Sequence, residues 1–201
     1  MNRNTDKKLL EIRRQLIHSL GMFGAPLIIF FGFEIMKVLY GFILIIIVVM
    51  NFYRQTKSGK RTFIVKRYYK FEKWAEKQLS KYERGEEFLK GPIMYFLGVF
   101  VVMSLFAQEQ VIPAILVLAI GDAASTIVGI SFGKHKHIWN KSSSWEGTIT
   151  FFVFAVIILL SFTSLESALL IAGIIALVES LPVIDDNISI PVCVAFLLTI
   201  L

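Results

Sequence analysis

A few polar residues in this 201-residue chain stand where apolar surroundings would ordinarily exclude them. Asp122 lies inside the run Ala119-Ile-Gly-Asp-Ala-Ala-Ser-Thr-Ile-Val-Gly129. An ionisable side chain there costs several kcal/mol by common estimates, so it reads as functional by default. Ser125 and Thr126, three and four residues on, share its helix face. Further along, Glu179 and Pro182 precede Asp185-Asp186-Asn187. Two adjacent carboxylates and an amide suit Mg2+, a hard cation that takes oxygen ligands and often bridges to phosphates. A turn that caps the next helix accounts equally well for those three residues alone. Glu11, Arg14 and His18 fall at i, i+3 and i+7, on one side of a helix. Interfacial charge explains the first two better than it explains His18.

The loop before Gly147 carries Lys134, Lys136, Lys141, His135 and His137. Ser143 and Glu146 match a capping box, and a helix N-terminus flanked by lysines is a place for a polyphosphate. His135 and His137, two residues apart in a loop, are too weak a pattern for a metal site. Acidic groups for a cation and basic groups for phosphates together point to phosphoryl or nucleotidyl transfer. Neither a Walker A sequence nor a kinase glycine loop occurs, which sets aside the familiar soluble nucleotide folds.

The elements that must position these residues are apolar. Hydrophobic residues make up 56% of the chain, charged residues 18%, and Phe alone occurs 18 times. Mean hydropathy is +0.69. Such a composition excludes disorder, and the single cysteine, Cys193, excludes a disulfide framework. Apolar runs cover residues 16–33, 38–52, 91–106, 111–132, 147–162, 165–181 and 188–201. The expected fold is an all-α integral membrane protein of about seven transmembrane helices, the last reaching only about 21 Å. Gly121, Ser125, Gly129 and Gly133 form a small-residue ladder suited to close helix packing.

Charge sets the expected orientation. Of 21 Lys and Arg, only Lys37 falls on the outer side if the N-terminus is cytoplasmic. Twelve of them lie between residues 54 and 90, where Phe71, Trp74, Ala75, Leu79 and Tyr82 recur at helical spacing opposite Lys70, Lys73, Lys77 and Lys81. That pattern predicts an amphipathic helix on the anionic cytoplasmic leaflet, with a solvated connector as the plainer alternative. Topology and lipid headgroups explain the basic charge, so no nucleic-acid partner is expected. The reading is one membrane-embedded catalytic domain over residues 1–201, with 54–90 as a cytoplasmic insert. The size and the lack of a targeting segment favour a prokaryotic plasma membrane over an endoplasmic-reticulum-type membrane.

Several of these motifs, taken in order, resemble a known family. Glu11-Ile-Arg-Arg-Gln-Leu-Ile-His18 is similar to the E-x-x-R-K-x-x-H opening of the CTP-dependent polyprenol and diacylglycerol kinases. Lys90-Gly-Pro, Gly121-Asp-Ala-Ala-Ser with Gly129 and Phe132-Gly-Lys134, Lys141-Ser with Glu146-Gly-Thr148, and Asp185-Asp-Asn-Ile-Ser-Ile-Pro191 resemble its later signatures. Gln15 departs from the pattern, where the family commonly has Lys. The resemblance implies transfer of the γ-phosphate of CTP to a lipid alcohol, with Mg2+ or a similar cation. It implies that Asp122, Asp185 and Asp186 act as catalytic or metal-binding carboxylates. Lys134, Lys141, Ser143, Glu146, Gly147 and Asn187 would line the nucleotide site, and Arg14 and His18 would complete the pocket. A phosphatidate-type cytidylyltransferase is the second reading, although its later D-x-x-x-D pattern is missing. A transporter or scaffold is the third, and the inverted repeat that would support it is not found.

Overall fold

The computed structural model describes residues 3–55, 89–182 and 185–201. Among them, regular structure is helical, beside one isolated antiparallel bridge between Lys136 and Ser144. Helix α1 (Arg3–Ser19) passes through a 3₁₀ turn (Leu20–Phe23) into α2 (Gly24–Phe31). Gly32 alone separates α2 from α3 (Phe33–Gln55), at φ +94°, a backbone region that favours glycine. The second apolar run was expected from residue 38, but the helix begins five residues earlier. Glu34 and Lys37 fall one turn apart inside it and pair at 2.7 Å.

The rest of the bundle is α4 (Lys90–Leu105), α5 (Gln108–Leu116), α6 (Ala123–Phe132), α7 (Trp145–Leu159), α8 (Leu165–Ser180) and α9 (Asp186–Ile200). A π-helical turn (Val117–Asp122) joins α5 to α6 without a break in the rod. Val111, Ile115, Val117 and Leu118 of this rod are fully buried, packed among Val99, Phe151, Ile171 and Ile190 from the surrounding helices. The most extensive packing is between α6 and α7. There the small-residue ladder works as expected: a Cβ on Gly129 would stand 3.3 Å from the Ser144 hydroxyl, and one on Gly147 would stand 3.0 Å from the Ser125 carbonyl.

Three stretches, Lys8–Phe31, Phe33–Phe52 and Gln108–Phe132, are long and apolar enough to cross a membrane. Helices α4, α7 and α9 are apolar but shorter; the 15 residues of α7 cover about 22 Å. Ile29, Phe30, Ile35, Val38, Phe42 and Ile45 point outward from α2 and α3. A continuous outward face of that kind belongs in lipid, which makes this a membrane protein. The basic amphipathic helix expected within residues 54–90 lies outside the described residues.

Candidate functional site

The π-helical turn ends at Asp122. Its hydrogen bonds span one residue more than those of an α-helix, so the rod after it is rotated by roughly 100° relative to an uninterrupted helix. Asp122 is buried, and His18 comes to it from the end of α1, Nε2 to Oδ2 at 3.5 Å. That separation is at the edge of hydrogen-bond reach, and the imidazole Nε2 has no closer partner. The His18 ring stands edge-on to Tyr95 of α4, with centroids 5.4 Å apart. Tyr95 in turn donates to the carbonyl of Gly21 at 3.3 Å, tying down the 3₁₀ turn that follows His18. One turn back along α1, both Arg14 Nε and Nη2 donate to Glu11 Oε1. Glu11 and Gln15 are buried beside it, and Gln15 Oε1 has no hydrogen-bond partner. The shared side of Glu11, Arg14 and His18 is therefore turned inward.

A second carboxylate meets Asp122 from the C-terminal end of α8. Glu179 Oε1 lies 3.1 Å from Ser125 Oγ, and Glu179 Oε2 accepts from Thr148 Oγ1 at 3.4 Å. The third comes from the start of α9. Burial, and after it the charges of Asp122, Glu179 and Asp185, push the Asp186 carboxyl up to about 8. Asp185 itself caps α9, accepting from the Asn187 backbone N–H at 3.1 Å and from Asn187 Nδ2 at 2.8 Å. The turn-and-cap reading thus holds for Asp185, while Asp186 stands near Asp122 and Glu179. The amide of Asn187 leaves Oδ1 buried and unpartnered, as is Ser189 Oγ one turn into the helix.

This donor set fits a hard cation. Carboxylates from three helices come together there, and unpartnered amide and hydroxyl oxygens lie on the neighbouring turn. Among the described residues, no three His, Cys, Asp or Glu side chains form a ready-made cage. Mg2+ does not need one, because it is commonly held by one or two carboxylates and completed by water and substrate phosphates.

The loop between α6 and α7 folds back over this end of the bundle. The helix cap falls at Ser144, one residue later than the expected Ser143, and Ser144 Oγ accepts from Gly147 N at 3.3 Å. The reason is tertiary. Pairing of Lys136 with Ser144, and the 2.9 Å bond from Trp145 N to His135 O, hold Ser144 in extended backbone, so α7 starts at Trp145. Glu146 then cannot complete a capping box with Ser143. Its carboxylate accepts instead from the backbone N–H groups of Lys134 and His135 at 3.1 and 3.2 Å, and His135 Nδ1 lies 2.8 Å away.

The polyphosphate expected at the α7 N-terminus therefore meets backbone N–H groups that are already occupied: Trp145 by His135, Gly147 and Thr148 by Ser144. Glu146 uses its own backbone N–H as well, the largest of the contacts that hold its carboxyl down to about 2. A depressed carboxyl contributes stability above its unfolded value of about 4.5, lost as pH falls towards about 2. Glu146→Gln is expected to speed deuterium exchange at the Lys134 and His135 amides by about tenfold at neutral pH, leaving α5 and α8 unchanged. Unchanged exchange at those two amides would show that Glu146 does not hold the loop. Lys134 and Lys141 are exposed, while Lys136 Nζ reaches the Ser142 carbonyl at 3.4 Å.

His137, passed over as half of a weak pair, is 1% exposed and lies beneath Trp139 and Trp145. Glu179, an acid at the end of an apolar run, is out of place for the same physical reason as Asp122 inside one. Thr148 stood in the sequence only as the end of the Glu146-Gly-Thr148 signature, and for Tyr95 no signal in the sequence marked a role at the site.

The chain is thus a helical membrane protein that gathers carboxylates, an imidazole and a guanidinium among its apolar helices. The chain is 31% identical over 135 residues to phytol kinase 1, chloroplastic, of Arabidopsis thaliana, covering 57% of this chain and 44% of that protein. It is 32% identical over 133 residues to farnesol kinase, chloroplastic, of the same plant, covering 57% and 43%. An uncharacterized protein of Methanocaldococcus jannaschii is 34% identical over 139 residues, covering 68% of this chain and 71% of that protein. The chain belongs to the polyprenol-type lipid kinase family, that of the phytol and farnesol kinases. It spans a little under half the length of those plant kinases. No protein-family model matches the chain, and no solved structure does.

Proposed function

We propose that the protein is a CTP-dependent lipid kinase that moves the γ-phosphate of CTP to the hydroxyl of a polyisoprenoid alcohol of the dolichol, polyprenol or phytol kind, with diacylglycerol as the less favoured acceptor. The observation that supports this reading is the group of acids Asp122, Glu179 and Asp186, with His18 beside Asp122, at the end of the bundle over which the loop between α6 and α7 folds. The alcohol oxygen bonds to the γ-phosphorus, the bond from that phosphorus to the bridging oxygen breaks, and CDP leaves. The hydroxyl proton passes to a carboxylate. Asp122 orients the acceptor, with His18 beside it. Lys134 and Lys141 attract the phosphates, and Ser143, Gly147 and Asn187 border the nucleotide. Glu146 supports that border by holding the loop. Asp122, Asp185 and Asp186 are the residues to hold Mg2+, Asp185 at the cost of its cap. When bound, the ion offsets charge on the transferring phosphoryl group.

In this reading residues 1–201 form one catalytic domain with about seven transmembrane helices and a cytoplasmic N-terminus, in a prokaryotic plasma membrane. The test is label transfer in liposomes from CTP carrying ³²P at either the γ or the α position, with a polyprenol, diacylglycerol and phosphatidate offered in turn. Labelling of the polyprenol from γ-CTP alone is the expected result. Labelling from α-CTP would instead make the protein a cytidylyltransferase, and labelling from neither nucleotide position, with γ-labelled ATP also inactive, would overturn the kinase reading.

A further inference from the structure

The hydrogen bonds around Glu179 extend beyond the acids to a residue that the proposed chemistry does not use. Thr148 Oγ1 donates to Glu179 Oε2, and His137 Nε2 lies 2.9 Å from the same Thr148 oxygen. A threonine hydroxyl has one proton. If that proton goes to Glu179, His137 must be the donor to Thr148, which requires the tautomer protonated at Nε2. The other tautomer would have Nε2 accept from the Thr148 hydroxyl, turning it away from Glu179, and would bury an Nδ1–H with nothing to receive it. His137 Nδ1 has no partner, and a buried unmet donor is costly.

The loop is also fastened so that His137 cannot drift. Its ring is stacked on Trp139 at 4.8 Å and tilted against Trp145 at 4.5 Å. Trp139 Nε1 donates to Ser180 Oγ at 3.3 Å, and Asn140 Nδ2 donates to the Ser180 carbonyl at 3.1 Å. Ser180 directly follows Glu179, so the loop is tied to the same turn of α8 that carries the carboxylate. From the opposite side, Ser125 of α6 reaches the other carboxylate oxygen.

We propose that His137 is a positioning residue for the phosphoryl transfer: its Nε2–H sets the direction of the Thr148 hydroxyl, which holds Glu179 in the acid cluster beside Asp122. This role rests on the kinase reading. It requires a hydrogen-bond donor at the Nε2 position and gives His137 no contact with the nucleotide or the alcohol. Its loss should therefore appear in kcat and spare KM for the nucleotide.

The test pairs substitutions that keep or remove the donor, assayed by γ-label transfer to the polyprenol. His137→Asn moves the amide nitrogen to the Nδ1 position and is expected to lower kcat by about 10- to 100-fold, with KM within about threefold. His137→Gln carries an amide N–H near the Nε2 position and should recover most of that loss. Thr148→Val should match His137→Asn, Thr148→Ser should stay near the unsubstituted rate, and the double variant H137N/T148V should be no slower than T148V. A merely structural histidine would give equal losses for Asn and Gln. The ¹⁵N shifts of the imidazole supply an independent reading, with Nδ1 expected unprotonated. Lipid labelling by the unsubstituted protein with normal kcat in H137N, or an Nδ1–H tautomer, overturns the positioning role alone. No labelling by the unsubstituted protein overturns the kinase reading and this role with it.

Discussion

Asp122→Asn is expected to lower the rate of lipid phosphorylation by about 10²- to 10⁴-fold, the usual range for removal of a group that manages a proton or a developing charge. The substitution keeps the side chain's size within the buried π-helical turn, so packing against α1 and α7 is retained. It also replaces a buried ionisable group, whose charged form is costly away from water, with a neutral amide. Thermal stability should consequently stay level or rise while activity collapses. Circular dichroism melts in detergent, beside γ-label transfer, measure both quantities on one preparation. A near-normal rate in D122N would remove Asp122 from the chemistry, and a large drop in melting temperature would make its role structural.

The second large effect is expected at a residue with no side chain. Gly98 lies in the middle of α4, where a Cβ would fall on the Asn187 carbonyl oxygen and 2.8 Å from its carbonyl carbon. The obstacle is backbone, so no side-chain rotation relieves it. Gly98→Ala must push the first turn of α9 away from α4, and with it Asp185, Asp186 and Asn187. Overpacking of this sort costs about 1–3 kcal/mol, and because the displaced turn carries acids of the site, activity should fall by at least about tenfold. Gly173→Ala is the control, since its Cβ would meet only a phenylalanine ring edge at 4.0 Å. That variant should melt at the same temperature or higher. Equal stability and equal rates for G98A and G173A would show that α4 and α9 do not make this close approach.

Much of the site was legible because its signals are local. An acid within an apolar run is anomalous wherever the chain goes, so Asp122 could be picked out without a fold, and the same reasoning covers Glu179. The side shared by Glu11, Arg14 and His18 follows from helical period, and the glycine ladder of α6 from the need for a close neighbour. Membership of the polyprenol-type lipid kinase family was legible in the order of the motifs. The number of membrane crossings was less so, because apolar composition marks a helix without fixing its length, and three stretches reach the length that a bilayer requires.

What the residues could not convey depends on contacts between distant segments. The cap moved from Ser143 to Ser144 because the pairing of Lys136 with Ser144 decides where extended backbone ends. Glu146 faces Lys134 and His135 for the same reason, turning an expected capping partner into the anchor of a loop. His137 stands in a lysine-rich stretch that reads as solvated, yet it is buried because two tryptophans and the end of α8 close over it. The amino-acid sequence by itself determined which residues are out of place in a membrane and which helix faces they share, since both follow from residue type and a 3.6-residue period. Only the tertiary structure decided which of them meet, because a π-helical turn, a one-residue glycine break and a backbone contact at Gly98 set the relative rotation and distance of helices far apart in the chain.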